Sequence, residues 1–180
     1  MKKLIASLLT LAMILTLAMT AALTEEPAEV TFHNGIAFGM NLNEVMEKSS
    51  LPNPDVENHK LRGPFDFSEL EYEKIADDTG LTADLKYFFV DDVLVAFHVD
   101  FADGTPYETV RAQLIPAYGE AVPFDAAKVG NGRFVIDDDG DLEDCREMVV
   151  TENLIIVLEQ DHEGDVDVTF LDPAAAFLSK

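Results

Sequence analysis

The chain has no tryptophan and a single cysteine, and it carries 12 basic residues against 35 acidic ones in 180. One thiol excludes an internal disulfide, so the fold must hold by packing. Cys145 reads as a small apolar residue at a strand start rather than as an intermolecular link. A net charge of −23 repels phosphate backbones and anionic membrane surfaces. Nucleic acid is therefore excluded as a partner, while cations and basic protein patches remain compatible.

Nucleophile and metal signatures are equally sparse. Beyond the N-terminal leader the serines are Ser49, Ser50, Ser68 and Ser179, none in a strand-turn-helix elbow. Cys145 would need a base to act as a nucleophile, and the candidates are His98 and His162. The histidines His33, His59, His98 and His162 are scattered, without the clustered spacing of a zinc site. No glycine-rich phosphate loop is present, and with this many acids a chance carboxylate pair has no specificity for hydrolysis.

What is there begins with the leader. Lys2 and Lys3 precede an uncharged run from Leu4 to Thr24, with a Thr20-Ala21-Ala22 site ahead of Glu25, Glu26 and Pro27. This is the pattern of a secretory signal. The alternative is an uncleaved anchor, because roughly 20 residues can span a bilayer. Either way the positive end stays inside and the domain sits outside the cytoplasmic membrane of a bacterium. The expected division is a signal peptide over residues 1–22, a short tether over 23–30, one α+β domain over 31–172 and a C-terminal tail over 173–180.

Within the domain, Asn41 and Glu44 form a capping-box pair ahead of Leu42, Val45 and Met46, which predicts a short helix ending near Lys48. The stretch SSLPNPDVENHKLRGP reads as a loop. ELEYEKI, DLKYFFV and VLVAFHVDF alternate as strands, the last two joined by a two-residue hairpin at Asp91-Asp92. In VLVAFHVDF, the alternation puts Val93, Val95, Phe97, Val99 and Phe101 on one face and Leu94, Ala96, His98 and Asp100 on the other. A second helix is expected from Thr105 as cap and Pro106 at the first position, with an apolar stripe of Tyr107, Val110, Leu114, Ile115 and Tyr118, a distorted last turn at Pro116 and a stop at Gly119. RFVI, REMVV, NLIIVLEQ and VDVTFL read as further strands, with turns at Glu152-Asn153 and His162–Asp165. This order predicts an α+β fold, with an antiparallel sheet of about six to seven strands, two helices on one face and an αβββ pseudo-repeat. The other face would present Lys86, His98 and Asp100 to solvent or a partner.

The stretches GIAFGMNLNEV, DLKYFFVDDVLVAF and YETVRAQLIPAYGE resemble those of small exported proteins of gut-type Firmicutes. The order of elements is similar to the β-lactamase-inhibitor-protein and outer-membrane-lipoprotein (SmpA-like) architecture. The resemblance runs from Gly35 to Phe170. It rests on caps, core faces and turns, so it implies a fold and a protein-binding sheet face but no functional residue. The chain departs from that pattern in having no tryptophan, so an aromatic-anchored interface would fall to phenylalanine and tyrosine.

One stretch invites a metal reading. FVIDDDGDLEDC, residues 134–145, places six acids around Gly140. With Gly140 at position 6 of a calcium loop, Asp137, Asp139, Asp141 and Glu143 take positions 3, 5, 7 and 9. Val135 stands where the first ligand belongs, and Arg146 replaces the bidentate acid. An EF-hand is excluded. A weak calcium contact at those four acids is the metal expectation, and no other cofactor is expected. The simpler reading is a strand from Phe134 to Ile136 turning at Asp139-Gly140.

The expected protein is thus an exported, monomeric, non-catalytic domain that binds a protein or other surface ligand and does not stay inserted in the membrane after cleavage. The alternatives are a secreted hydrolase and a weak calcium-dependent binding module.

Overall fold

The computed structural model describes residues 32–60, 66–76, 82–136 and 142–174. The leader, the tether, Asp137 to Asp141 and the end of the C-terminal tail lie outside the described residues. Among the described residues no helix is long and apolar enough to cross a membrane.

The elements in chain order are α1 (Leu42–Ser49), β1 (Asp55–Lys60), β2 (Asp66–Ala76), β3 (Thr82–Val90), β4 (Val93–Phe101), α2 (Tyr107–Tyr118), β5 (Val122–Pro123), the single turns α3 (Ala126–Val129) and α4 (Arg133–Ile136), then β6 (Cys145–Val150), β7 (Ile155–Gln160) and β8 (Val166–Leu171). The strands form one antiparallel sheet of eight in the order β1-β2-β3-β4-β8-β7-β6-β5. The fold class is α+β, with a larger sheet than expected. The order also corrects the repeat: a helix followed by four strands occurs twice, and the two meanders meet at their last strands, β4 and β8.

The first helix starts as the sequence dictates. The Asn41 side chain accepts from the Glu44 backbone, and the Glu44 carboxylate accepts from the Asn41 backbone. The hairpin between β3 and β4 helps from outside. Asp91 and Asp92 have φ of 51° and 63°, as the primed turn of a tight hairpin requires, and the Asp92 carboxylate accepts from the Leu42 N–H. At α2 the expected cap is absent. Thr105 Oγ1 donates back to the Ala102 carbonyl at 2.7 Å, and Pro106 stands at the cap position without a side-chain bond. Gly119 ends the helix, its N–H bonding the Ile115 carbonyl.

Both helices pack on one sheet face. Val45 from α1 and Val110, Leu114 and Tyr118 from α2 join a core with Leu70, Tyr72, Leu85, Tyr87, Phe97, Phe170, Ile156 and Val149. Opposed cross-strand pairs make this core a row, running Leu70–Tyr87–Phe97–Phe170–Ile156–Val149 across six strands. At its centre the rings of Tyr87 and Phe97 stack at 4.7 Å, and those of Phe97 and Phe170 at 5.7 Å.

The second face has a smaller core of its own. Phe88, Val95, Ala96, Ile155, Val157, Met148 and Leu171 pack with Val129 and Ile136, which the α3–α4 excursion lays across the sheet. The RFVI stretch is therefore a helical turn and not the expected strand. A short apolar run cannot be assigned to strand or helix by pattern alone, and Gly132 lets this one press close: a Cβ there would sit 2.5 Å from a methyl of buried Leu171.

Two further strands escaped pattern reading for physical reasons. β1, expected as loop, is an edge strand of DVENHK that pairs residue by residue with β2. Polar edges guard a sheet against further pairing and erase the alternation that would reveal them. β5 has two residues, too few for a period.

The alternation in β4 is also corrected. The register shifts between Phe88↔Ala96 and Phe89↔Leu94, leaving Val95 as the extra residue of a bulge. Leu94 turns into the helix-side core and Val95 into the second core, while Val93 is 41% exposed. The Leu94 backbone bonds Met40 and Gly39, so the segment before α1 holds the bulge in place. Leu94→Ala should therefore cost about 2–5 kcal/mol, as for a buried leucine, and Val93→Ala no more than about 0.5 kcal/mol. Urea unfolding of the two variants checks the assignment, and the reverse ranking would restore simple alternation.

Candidate functional site

The α3–α4 excursion covers one part of the second face with an apolar core. Further along the same strands, the outward positions change to polar. Register fixes the layout. One row runs Glu71–Lys86–His98–Thr169–Val157 and the next runs Asp84–Asp100–Asp167–Glu159–Cys145, each member directly opposite the next. The expected face residues Lys86, His98 and Asp100 are brought together here: Lys86 pairs across from His98, and Asp100 is two residues along β4.

Four carboxylates thus stand side by side across four strands, at the roughly 4.5–5.5 Å Cβ spacing of cross-strand neighbours, where like charges destabilise. The structure gives three of them different neighbours. Asp84 accepts from the Lys74 N–H, where β2 bulges and Lys74 has φ of 56°. Asp167 meets the His98 imidazole, Oδ1 to Nε2 at 3.6 Å. Glu159 is 8% exposed; it accepts from the Thr169 hydroxyl at 3.2 Å and from the Cys145 thiol at 3.7 Å. Thr169 Oγ1 in turn lies 2.9 Å from His98 Nδ1. In the neighbouring row Lys86 lies 3.8 Å from Glu71.

Electrostatics follow from this crowding. Burial and the Asp167 charge push Asp100 up to about 6. Burial, with Asp167 adding to it, pushes Glu159 up to about 7 against the pull of His98. Glu71 is raised by burial, which Lys86 only partly offsets. Burial alone would lower His98, but the Asp167 carboxylate beside it and the Glu159 charge raise it.

Comparison with known protein families, with curated proteins and with solved structures finds no match. The chemistry must be read from the side chains themselves.

The Cys145 thiol points at Glu159, and the bonds that join it to His98 pass through both Glu159 and Thr169. Ser49 is buried and structural, its hydroxyl bonded to the Met46 carbonyl and, at 2.6 Å, to the Tyr72 hydroxyl. Of the calcium expectation, Asp137, Asp139 and Asp141 lie outside the described residues, while Glu143 is an exposed turn residue ahead of β6. Among the described residues no three His, Cys, Asp or Glu side chains are grouped to hold a metal ion. His162 is exposed beside Glu163, in the turn between β7 and β8.

Sequence reasoning missed Glu71, Asp84, Glu159, Asp167 and Thr169. A signal for the last two was present: in VDVTFL they alternate with Val166, Val168 and Phe170, so they had to face away from the core. What could not be read was that β8 lies beside β4.

The sign of the pH effect is fixed by the direction of these shifts. The folded state binds protons at Asp100 more tightly than the unfolded chain, whose ordinary value is 3.8. Its contribution to stability is therefore highest below about pH 4 and falls as pH rises through about 6. Asp100→Asn should be more stable than the wild type at pH 7.5, by about 1 kcal/mol after allowance for its partial exposure. The advantage should vanish toward pH 4. Chemical denaturation at both values measures it, and an Asn variant that is less stable at pH 7.5 would reject this electrostatic reading.

Proposed function

We propose that this is an exported, non-catalytic domain that binds a protein partner at the bacterial cell surface, and that the polar part of the second sheet face is the contact. One observation carries the reading. The helix-side face carries the main core from β2 to β6, whereas on the second face the two neighbouring rows place Glu71, Lys86, Asp100 and Asp167 at the surface, half-buried, over His98. Half-buried charge held on a rigid sheet is prearranged for a partner and loses little freedom on binding. The excess of carboxylates selects a partner that brings basic side chains, with long-range attraction from the net charge of −23 speeding the encounter.

The secretory pattern of residues 1–22 supports the location. The resemblance to small exported Firmicutes proteins of SmpA-like and β-lactamase-inhibitor-protein-like architecture supports a sheet face as the contact, by fold-level analogy. A monomer fits this reading, since a second acidic copy would repel the face.

The immobilised protein should retain a specific basic partner from an envelope extract at low salt and release it as ionic strength rises. Asp100→Lys with Asp167→Lys should abolish retention while leaving the far-UV circular dichroism spectrum unchanged. Retention of the same partner by the double variant would move the contact elsewhere. Nothing retained above background by the wild type would reject the reading.

A further inference from the structure

Beneath this surface a chain of hydrogen bonds crosses three strands, from His98 on β4 through Thr169 on β8 to Glu159 on β7. A hydroxyl has one proton to donate, and a neutral imidazole has one donor and one acceptor nitrogen. Suppose Thr169 donates to Glu159. His98 Nδ1 must then carry the proton that it donates to Thr169. Unless Nε2 is protonated as well, its lone pair faces Asp167 Oδ1 at 3.6 Å. Suppose instead that Glu159 is the acid and donates to Thr169. Thr169 then donates to Nδ1, and Nε2–H points at Asp167. The favourable arrangements are imidazolium with carboxylate and imidazole with carboxylic acid, and they contain the same number of protons. They interconvert when the Nδ1 proton moves to Thr169 Oγ1 while the hydroxyl proton moves to Glu159 Oε1.

We propose that His98 and Glu159 hold one shared proton through the Thr169 hydroxyl, and that this proton fastens β4, β8 and β7 together as a pH-sensitive clamp under the polar face. Losing it leaves a bare Nε2 against the Asp167 carboxylate, which loosens the β4–β8 junction where the two halves of the sheet meet.

The surrounding charges favour the proton. Glu159 is faced by His98 from β4, by Asp167 and Thr169 from β8 and by Cys145 from β6. His98 is faced by Asp167 from β8, Glu159 from β7 and Lys86 from β3. Asp100 stands opposite Asp167 and beside Asp84. Lys86 is the one cation among these neighbours, and it opposes the proton that the carboxylates hold. The raised values of Glu159 and His98 agree with the same direction.

Nitrogen-15 NMR of protein labelled at histidine tests the clamp, with loss of a signal in His98→Gln making the assignment. In the wild type near neutral pH, Nε2 of His98 is expected to be protonated. Glu159→Gln supplies an amide donor to Thr169 in place of the shared proton, so His98 should become neutral with Nε2 still protonated, and its titration should move to lower pH. Thr169→Val should also shift the titration, and Thr169→Ser should restore it. A hydroxyl with only a packing role would change stability and leave the titration in place. The unfolding equilibrium constant of the wild type should rise by up to about tenfold per pH unit for the one proton as pH passes about 7, and Glu159→Gln should flatten that rise. A bare Nε2 in the wild type at neutral pH overturns the proposal, and so does a titration identical in wild type, Glu159→Gln and Thr169→Val. If a variant fails to fold, the wild-type tautomer decides alone.

Discussion

The stack of Tyr87, Phe97 and Phe170 joins two halves that have no disulfide between them. Phe97 belongs to the last strand of the first meander and Phe170 to the last strand of the second, and their rings pack at 5.7 Å across the junction. Each ring is almost wholly buried, and burial of such a side chain is worth roughly 1.5–3 kcal/mol, with about 0.5–1.5 kcal/mol more for a well-placed aromatic pair. The helices need this row as much as it needs them: Tyr118 of α2 meets Phe170 edge-on at 5.7 Å. An antiparallel pair alone would leave β4 and β8 free to slip. The ring row makes any slip by one residue exchange Phe97 and Phe170 for His98 and Thr169 in the core, and so fixes the register.

That register decides what happens on the far side. Because Phe97 and Phe170 must face the helices, His98, Asp100, Asp167 and Thr169 must face away, and they fall opposite one another. The acid row is thus a consequence of the aromatic row. Its cost is met locally, by a backbone N–H at Asp84, an imidazole at Asp167 and a hydroxyl at Glu159. From Ala96 the same face of β4 turns apolar, the bulge adds Val95 to it, and this part receives the α3–α4 excursion.

Much of this was legible wherever one local rule acts alone. The Asn41–Glu44 box, the Asp91-Asp92 hairpin, the extent of VLVAFHVDF and VDVTFL, and the Gly119 stop all follow from neighbours within a few residues. The failures occurred where distant residues decide. Thr105 looks like a cap, yet its hydroxyl is drawn to the Ala102 carbonyl. RFVI would suit a strand, but it winds into a helical turn whose Ile136 joins the second core with Leu171. Leu94 belongs by alternation with His98, and the segment at Gly39 and Met40 captures its backbone and turns it over. Lys86, His98 and Asp100 could be placed on one face from a single hairpin. Asp167, Thr169 and Glu159 could not be added to them without knowing that β8 comes to lie between β4 and β7.

The acids that the fold perturbs, among the described residues, therefore fall into two physical classes. Glu147 is held by the Arg111 guanidinium and the Tyr107 hydroxyl, which lower it despite some burial. Asp161 is lowered too: the backbone N–H groups of Asp165, Gly164 and Glu163 outweigh its burial. Both groups favour the ionised form, pin α2 to β6 or close the β7–β8 turn, and lose their contribution as pH falls below the ordinary carboxylate range. Asp100, Glu159 and Glu71 are raised, and they withdraw stability as pH rises. The two classes act in opposite directions: one withdraws stability as pH falls and the other as it rises. An acidic surface that served only solubility would be spread over exposed positions with unshifted groups. Placing Glu159 inside the sheet, bonded to the one thiol and to Thr169, sets part of the negative charge where a proton controls it.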